Sequence, residues 1–573
     1  MQISAAILFV LGLLCLASQA ADSCLDAFAF RLSTGIMGEG AISMSVSWSV
    51  RGTCQGYVPD ANVTSAESGR NPDTYFCYEK TFREDVRNFH CMIQNFQPST
   101  KYNYEVGSRG AKRYTKGGSF ISPPADGAPV DVVVMGDLGL VLGGPTSEAL
   151  GKLAEQSAVS LIVHAGDISY ADENDKHGPN EKYHEINDEY MKMVEPFSSR
   201  VPYMVAVGNH DVSCHVPTDH LCAANMKNFS FYANTFDMPS QLTGGPGQTG
   251  MWYTFSHGDV HFIVINTETN YPGAPYNKST DPSAGEFLPT YRYGNQMSWL
   301  EMKLAEANEP SSRKAHPWVV VVGHRPVYSS MSVDYPKGQM DRVRSVFEEL
   351  FNRYKVDLYL SGHGHYYERT GKVAPAKFGK NGRTTVSAYD DGDEYKGPVY
   401  VVNGAAGNIE DHCKDVTPEL PREILFRDTT AFGYGLIHTE ITEKSSQSHT
   451  GVSRRKGSQR RPMAPKSKRA VSQKPLGSAL RHSWTEKMPK SMSTSMSTSE
   501  NGSQFAAKRS SRDAPELPNM SHVAARRAAK SKEGEVTRSL CYDFIPTTQP
   551  GTGASDNAGE WPAMDRFCIE KSV

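Results

Sequence analysis

The chain has 573 residues, of which 38% are apolar, so it is too long for one hydrophobic core and long enough for two. Its 60 Lys and Arg nearly balance its 63 Asp and Glu, although the charge is distributed unevenly. Apart from a short apolar run near the first residue, no stretch is apolar for long enough to cross a bilayer, which excludes a protein built from membrane-spanning helices.

The first residues have the features of a secretory signal peptide. Residues 7–16 are apolar, and the small residues around Ser18 and Ala20 suit cleavage after Ala20. Asn-x-Ser/Thr triplets, which accept N-glycans, fit an exported chain. They occur at Asn62, Asn228, Asn277, Asn501 and Asn519. We predict a signal peptide at 1–20 and a secreted glycoprotein, extracellular or held in a vacuole or lysosome-like compartment.

Residues 22–124 predict an antiparallel β-sandwich. Short runs such as ISMSVSWSV (42–50) and KYNYEVG (101–107) alternate apolar and polar residues, with turn residues between the runs. This region holds no cluster of metal-ligating residue types. We therefore expect it to support or border a site that the next domain builds.

Residues 128–443 predict a layered α/β domain. Continuous apolar runs typical of buried strands alternate with amphipathic helical stretches at 146–156, 184–197, 295–307 and 339–354. The strand runs are VDVVVMGD, SLIVHAGD, YMVAVGNHD, VHFIVIN, WVVVVGH, VDLYLSGHGH and VYVVNG. The pattern leaves open whether these strands form one mixed sheet or a pair of sheets.

Polar side chains end five of these strands, where an α/β sheet places its site. They are Asp137 in GDLG, Asp167 and Tyr170 in GDISY, Asn209 and His210 in GNHD, His324 in VVGH, and His363 and His365 in GHGH. Carboxylate and amide oxygens suit hard cations, and imidazoles suit iron, zinc and manganese. Buried Asp and His are costly unless they are paired or coordinate a metal. The set therefore predicts a site for two first-row metal ions.

These blocks resemble, in order and residue type, the metal-binding blocks of metallophosphoesterases of the purple acid phosphatase family. The likeness runs from about residue 47 to 440, and FQPSTKYNYEVG is similar to the end of the fibronectin-III-like domain of plant-type members. It implies a fibronectin-III-like sandwich followed by an αββα-type catalytic domain. It also implies an Fe(III) site of Asp137, Asp167, Tyr170 and His365, and a divalent iron, zinc or manganese site of Asp167, Asn209, His324 and His363.

The resemblance implies an acid phosphatase that hydrolyses phosphate monoesters by attack of a metal-bound hydroxide at an Fe(III)–M(II) centre. His210 would donate a proton to the phosphate or leaving oxygen, and Asp211 would orient His210. Plant members carry two histidines after the VxxH histidine, where this chain has Val333 and Asp334, so substrate preference does not transfer. The loop NGAAGN (403–408) is either a pocket wall or a simple turn.

Two alternative functions stay open at this stage. A phosphodiesterase or pyrophosphatase could use the same metals. A secreted polyanion-binding protein could instead keep the catalytic domain as a vestigial scaffold and bind through a basic segment.

That basic segment is predicted at 445–540. It has 20 Lys and Arg against 6 Asp and Glu, or +14, which leaves −17 on the rest of the chain. It is rich in Ser, Pro, Met and Ala and poor in aromatics, which predicts disorder. We expect a solvated spacer, a tail that binds polyanions, or a stretch removed at Arg454-Arg455, Arg460-Arg461 or Arg526-Arg527.

Residues 541–573 are predicted to return to the core as an edge strand that carries Asp565 and Phe567, with Cys541 paired to Cys568. Removal of the signal peptide would leave nine cysteines, so one thiol would stay free or bond to another chain. Cys214 with Cys222 is the preferred disulfide, and two more could form among Cys24, Cys54, Cys77 and Cys91. Oligomeric state is left open.

Overall fold

The computed structural model describes residues 27–35, 42–52, 54, 56–67, 71–109, 114–173, 182–214, 222–239, 250–275, 294–332, 337–374, 385–387, 395–443, 536–548 and 563–572. The predicted signal peptide at 1–20 lies outside these residues. So do 444–535, which hold nearly all of the predicted basic segment, and Val333 and Asp334. None of the described helices combines the length and the apolar character that a membrane crossing requires.

The N-terminal region is a β-sandwich of two antiparallel sheets, ordered β1-β2-β5-β4 and β3-β6-β7. Its strands are β1 Ala27–Thr34, β2 Met44–Arg51, β3 Pro59–Ser65, β4 Asp73–Lys80, β5 Val86–Gln94, β6 Lys101–Ser108 and β7 Tyr114–Ile121. Alternate side chains of the two sheets meet in an aromatic core that includes Trp48, Phe89, Tyr102 and Phe120. This confirms the predicted sandwich architecture.

The polar face of β2 is also buried, because the next domain packs against the sandwich. Ser45, Ser47 and Ser49 are at most 3% exposed. Across the contact, the Ser198 hydroxyl donates to Phe30 O at 2.8 Å, and the Tyr104 hydroxyl donates to Ser199 O at 2.9 Å. The sandwich therefore borders the domain that carries the predicted site.

The second domain is built on two mixed sheets, which decides between the two predicted arrangements. The six-stranded sheet has the order β10-β9-β8-β19-β20-β21, and the larger sheet has the order β11-β12-β13-β14-β17-β15-β16, with β18 paired to β15. The strands are β8 Asp131–Met135, β9 Leu161–His164, β10 Tyr203–Val205, β11 Tyr253–His257, β12 Val260–Val264, β13 Trp318–Val322, β14 Leu358–Ser361, β15 Tyr367–Ala374, β16 Thr385–Ser387, β17 Val399–Asn403, β18 Ile424–Asp428, β19 Gly433–Glu443, β20 Val536–Pro546 and β21 Asp565–Ser572.

Four long helices fall where the amphipathic stretches predict them. The helices are α1 Gly144–Glu155, α2 Tyr183–Ser198, α3 Ser230–Thr235, α4 Gln296–Ala307, α5 Pro310–Ala315 and α6 Gln339–Arg353. Apolar residues of α1, α2, α4 and α6 share one buried core with both sheets, among them Leu150, Val194, Leu304 and Phe347. Strands β12, β13, β14 and β17 are parallel and buried, as their continuous apolar runs indicate.

The C-terminal region forms two strands, of which β21, with Asp565 and Phe567, is an edge strand of the six-stranded sheet. β20 begins at Val536, inside the segment predicted as disordered, and it is an interior strand between β19 and β21. Two strands therefore return to the core instead of one, because β20 can pair on both sides. The predicted Cys541–Cys568 disulfide is confirmed, and it joins these two strands.

The other cysteine predictions are tested in part. The Cys214–Cys222 disulfide is confirmed, and Cys77 pairs with Cys91 across β4 and β5. Cys54 is also disulfide-bonded, and Cys413 is the free cysteine among the described residues. Such a set is typical of an oxidising compartment.

We predict that residues 445–534 can be excised without loss of stability. Glu443 and Val536 are register partners on β19 and β20, so a short Gly/Ser turn can join them. The shorter connection should raise the free energy of unfolding by about 2 kcal/mol through loop-closure entropy. Urea unfolding measures this. A Gly/Ser linker of the original length is the control, and a lower midpoint in the excised form contradicts the prediction.

We also predict that His257 makes the protein less stable in acid. Burial lowers the pKa of His257 to about 3, and its Nε2 lies 2.9 Å from the Ser160 hydroxyl. The unfolded histidine has a pKa of about 6.5. Below that pH the unfolded chain binds a proton at this histidine that the folded protein does not. The stability that the neutral, buried His257 contributes is therefore complete above a pH of about 6.5 and is lost as the pH falls toward 3. His257→Gln should flatten the pH dependence of unfolding between about pH 6 and 4 by roughly 1 kcal/mol per pH unit. Identical slopes for the two proteins would refute this.

Candidate metal centre

The seven predicted ligands all lie on loops that follow a strand, at one edge of the two sheets. Three loops leave the six-stranded sheet and two leave the larger sheet. Asp137 follows β8, Asp167 and Tyr170 follow β9, Asn209 follows β10, His324 follows β13, and His363 and His365 follow β14. The site is therefore shared by both sheets, and no single strand pair could build it.

Three of the side chains form a first group. The Tyr170 hydroxyl lies 2.9 Å from Asp137 Oδ1 and 3.0 Å from His365 Nε2. His365 Nε2 lies 3.3 Å from the same Asp137 oxygen. A phenol, a carboxylate and an imidazole thus converge on one small volume.

A second group forms beside the first. His324 Nε2 lies 3.0 Å from both Asp167 Oδ2 and Asn209 Oδ1. His363 joins them, because Asp167, His324 and His363 each offer one ligand atom within 4.8 Å of the others. Asp167 Oδ2 is also 3.4 Å from the Tyr170 hydroxyl, so Asp167 lies between the two groups.

The backbone is held in an unusual conformation at four of these positions. Asp137, Asp167, Tyr170 and His363 have φ values of 63°, 56°, 54° and 66°, in the left-handed region that non-glycine residues rarely adopt. Such strain costs on the order of 1 kcal/mol per residue or more and concentrates at functional sites.

Two glycines allow the close approach that this crowding requires. A Cβ on Gly208 would lie 2.2 Å from Asp167 Oδ1, and a Cβ on Gly362 would lie 2.2 Å from Asp137 Oδ2. The glycines of GNHD and SGHGH are therefore needed for space at the carboxylates.

Hydrogen bonds from the backbone aim the ligand side chains. His363 N–H donates to Asp137 Oδ2 at 2.9 Å, and His210 N–H donates to Asp167 Oδ1 at 2.8 Å. His324 Nδ1 lies 2.9 Å from Ala165 O, which leaves Nε2 facing the other donors. These contacts hold the side chains in place without using all of their ligand atoms.

The His210 side chain lies at the same edge but is held by a different acid from the one we expected. Its Nδ1 is 2.9 Å from Asp172 Oδ2, and its ring lies 4.3 Å from the Tyr170 ring. Asp211 instead accepts hydrogen bonds from the N–H groups of Gly208, Asp167 and Ile168. The expectation that Asp211 orients His210 is thus not met, because its carboxylate braces the two loops instead.

Sequence reasoning missed three further groups at this site. Asp172 was identifiable, since it follows Tyr170 by two residues in YAD. Glu410 Oε2 lies 3.8 Å from His210 Nε2 and 3.6 Å from His365 Nε2, and its side chain is 40% exposed. Arg325, buried in a pair with Glu268, places Nη1 3.2 Å from His363 Nε2. The sequence neighbours of Glu410 and Arg325 carry no signal for these contacts.

The NGAAGN loop packs directly against the site. Gly139 N–H donates to Gly407 O at 2.9 Å, and a Cβ on Gly404 would lie 2.8 Å from Asp137 Oδ2. Of the two interpretations left open, these contacts favour the first, in which the loop lines the pocket next to Asp137.

The electrostatics of the site fit bound cations. Burial, followed by the Asp167 carboxylate, raises the pKa of Asp211 to about 8, and burial raises the pKa of Asp172 to about 6. Burial by itself would lower the pKa of His210, but the Asp172 and Asp167 carboxylates raise it well above the usual range. Each of these shifts favours the protonated form of the group, because negative charge is concentrated in a buried place. The mixture of carboxylate, phenol, amide and imidazole donors suits two first-row metal ions.

Comparisons with known proteins agree with this geometry. A sequence model of the calcineurin-like phosphoesterases matches residues 130–367, and a model described as iron/zinc purple acid phosphatase-like protein C matches residues 397–445. A purple acid phosphatase from yellow lupin (Lupinus luteus) seeds has a similar structure, with a TM-score of 0.55 and 19% identity, over 73% of this chain and 72% of that one.

Curated relatives show the same likeness. The chain is 28% identical to an acid phosphatase of Aspergillus ficuum over 56% of this chain and 66% of that protein, slightly less than two thirds of its length. It is 27% identical to Fe(3+)-Zn(2+) purple acid phosphatase 12 of Arabidopsis thaliana over 65% of this chain and 74% of the relative. Acid phosphatase type 7 of Danio rerio is 29% identical over 60% of this chain and 69% of its own length.

The two-sheet fold and the donors at its edge fit the match to the calcineurin-like phosphoesterase model. The second matched region and the curated relatives make the chain similar to the purple acid phosphatases.

We predict that Asp167 is required for both metal ions. Asp167→Asn should lower the metal content from two ions per chain to less than one, because Asp167 lies between the two groups of donors. Elemental analysis of the purified protein measures this. His261→Gln is the control, since His261 is buried against Thr254 and Ser256 away from the donors. An Asp167→Asn protein that retains both ions would contradict the prediction.

Proposed function

We propose that the protein hydrolyses phosphate monoesters at a dinuclear Fe(III)–M(II) centre, where M is iron, zinc or manganese. The observation that carries the proposal is the convergence of seven donor residues from five loops, five of them buried, with Asp167 common to two groups. A merely structural cluster would have no reason to hold so many polar groups in strained conformations without bound positive charge.

The two groups suggest how the ligands divide. Ligand atoms of Asp137, Tyr170 and His365 lie within 3.3 Å of one another and offer a carboxylate, a phenolate and an imidazole, and the two anionic groups favour a trivalent iron. Asn209, His324 and His363 would hold the divalent ion with neutral donors. Asp167 would bridge the two. Bound in this way, the two ions would neutralise a phosphate dianion and acidify a water molecule enough to attack phosphorus near neutral pH.

The protein groups around the centre supply the proton transfer. The Asp172 carboxylate holds His210 Nδ1 at 2.9 Å, which leaves Nε2 to face the site, 4.0 Å from Asp167 Oδ2. As water adds to phosphorus and the bond to the ester oxygen breaks, the proton on Nε2 passes to the departing alkoxide. Glu410 lies at the exposed side of His210 and His365. It would therefore help to decide which substrate leaving groups the site accepts.

The disulfides support an oxidising location. Cys77–Cys91, Cys214–Cys222 and Cys541–Cys568 would not persist in a reducing cytosol. Asn62 and Asn228 are exposed, as attachment of an N-glycan requires. We infer a secreted or vacuolar glycoprotein.

A substrate panel and visible spectroscopy test the proposed function. The protein should release nitrophenol from nitrophenyl phosphate much faster than from the bis-ester, and it should show a visible phenolate-to-iron band. Tyr170→Phe should remove that band, whereas Tyr253→Phe, which changes a buried hydroxyl bonded to Val205 O, should keep it. Cleavage of the bis-ester alone by a colourless protein would favour the phosphodiesterase alternative.

We predict unequal losses of activity for the two members of the proton-transfer pair. His210→Ala should lower kcat about 100-fold with little change in KM, because the proton donor is lost. Asp172→Asn should cost less, about tenfold, because the imidazole remains but is held less firmly. Steady-state kinetics on nitrophenyl phosphate check both. An unchanged kcat for His210→Ala would refute the assigned role.

A further inference from the structure

The C-terminal strands contact the strand that leaves the metal centre. Asp565, the first residue of β21, accepts a hydrogen bond from the Tyr367 hydroxyl at 2.9 Å. It also accepts two from Arg369, from Nε at 2.6 Å and from Nη2 at 3.0 Å. Tyr367 and Arg369 lie on β15, almost 200 residues earlier in the chain.

This contact is buried and supported by aromatic packing. The Arg369 and Asp565 side chains are 9% and 8% exposed, so the pair is largely removed from water. The Tyr367 ring stacks on Phe544 of β20 with centroids 4.3 Å apart, and the Arg369 guanidinium lies over the Phe567 ring of β21 at 4.9 Å. A buried arginine that lost its carboxylate partner would be strongly unfavourable, so Asp565 holds both side chains in place.

The C-terminal strands are also connected to the start of β15 through Asn403. Tyr367 follows the proposed ligand His365 by two residues and pairs with Asn403 at the end of β17. The Asn403 amide donates to the Tyr542 hydroxyl of β20 at 3.0 Å and to Val134 O of β8 at 3.2 Å. β15 is therefore anchored to the C-terminal strands where it leaves the loop at 362–366.

We propose that Asp565 is a positioning residue for the metal centre. Through Tyr367 and Arg369 it fixes the start of β15, and thereby the loop that presents His363 and His365. The Cys541–Cys568 disulfide joins β20 and β21, so the two strands act as one brace. The inference rests on the proposed function, because it takes His363 and His365 to be metal ligands.

The test compares Asp565→Asn with Asp543→Asn in the full chain. Asp543 forms an ion pair with Arg566 across the same two strands, but Arg566 is 70% exposed. Among the described residues, no hydrogen bond or ion pair joins Asp543 to Tyr367 or Arg369. Both variants replace a carboxylate that pairs with an arginine. Only Asp565→Asn removes the contact to β15.

Three quantities are measured for each protein: the rate at which a chelator removes the metal ions, the visible absorption band, and kcat with KM. Asp565→Asn should lose metal about tenfold faster than the parent. Losses of that size are typical when a residue that orients a metal ligand is replaced. Its visible band should shift or weaken, and kcat should fall while KM changes less than about twofold. Asp543→Asn should match the parent in all three, and Asp565→Glu, which keeps the charge, should recover part of the loss.

The inference is overturned if Asp565→Asn retains its metal ions and its visible band as the parent does. This holds whether or not the variant unfolds at a lower temperature. If Asp565→Asn does not fold, Tyr367→Phe replaces it, since this change removes only one hydrogen bond to Asp565. Tyr367→Phe should lose metal faster than the parent, and an unchanged rate would overturn the inference. A parent protein that binds no metal would instead refute the proposed function.

Discussion

Two buried carboxylates, Asp137 and Asp167, impose the constraint on which the rest of the structure depends. Both are 0% exposed and stand at the ends of neighbouring parallel strands, β8 and β9. A charged carboxylate in such a place is unfavourable unless hydrogen bonds and opposite charges surround it. The N–H groups of His363 and His210 supply hydrogen bonds, and the proposed metal ions would balance the remaining charge. The glycines and left-handed residues nearby follow from the need to crowd donors around these two side chains.

The β-sandwich contributes to the centre without supplying a ligand. Strand β1 forms a parallel bridge from Leu32 to Pro202, at the start of the strand that delivers Asn209 and His210. Arg31 donates to Thr235 O, and the Tyr78 hydroxyl donates to Asp237, so the sandwich also holds the end of α3 and the segment that follows it. A domain with no metal-ligating cluster thereby stiffens the edge of the sheet from which two functional side chains come.

The C-terminal region shows how the fold accommodates a long insertion. The match to the purple acid phosphatase-like C-terminal model ends at residue 445, next to the end of β19, and β20 and β21 then complete the sheet from residue 536 onward. Because Glu443 and Val536 are register partners, the chain between them connects two neighbouring antiparallel strands, as a hairpin turn would. The returning strands are integral to the core, since Tyr542 and Phe544 are 0% exposed.

The sequence by itself determined seven buried strands of the second domain, its four long helices and the residues that gather at the strand ends. Buried strands and amphipathic helices leave local periodicities, and a polar residue that ends an apolar run stands out. It also indicated the family, since the motif order is local information. Only the tertiary structure decided that the strands form two sheets, that Asp172 and not Asp211 holds His210, and that Asp565 braces β15. These outcomes depend on contacts between residues far apart in the chain, and long-range pairing has no local pattern from which it could be read.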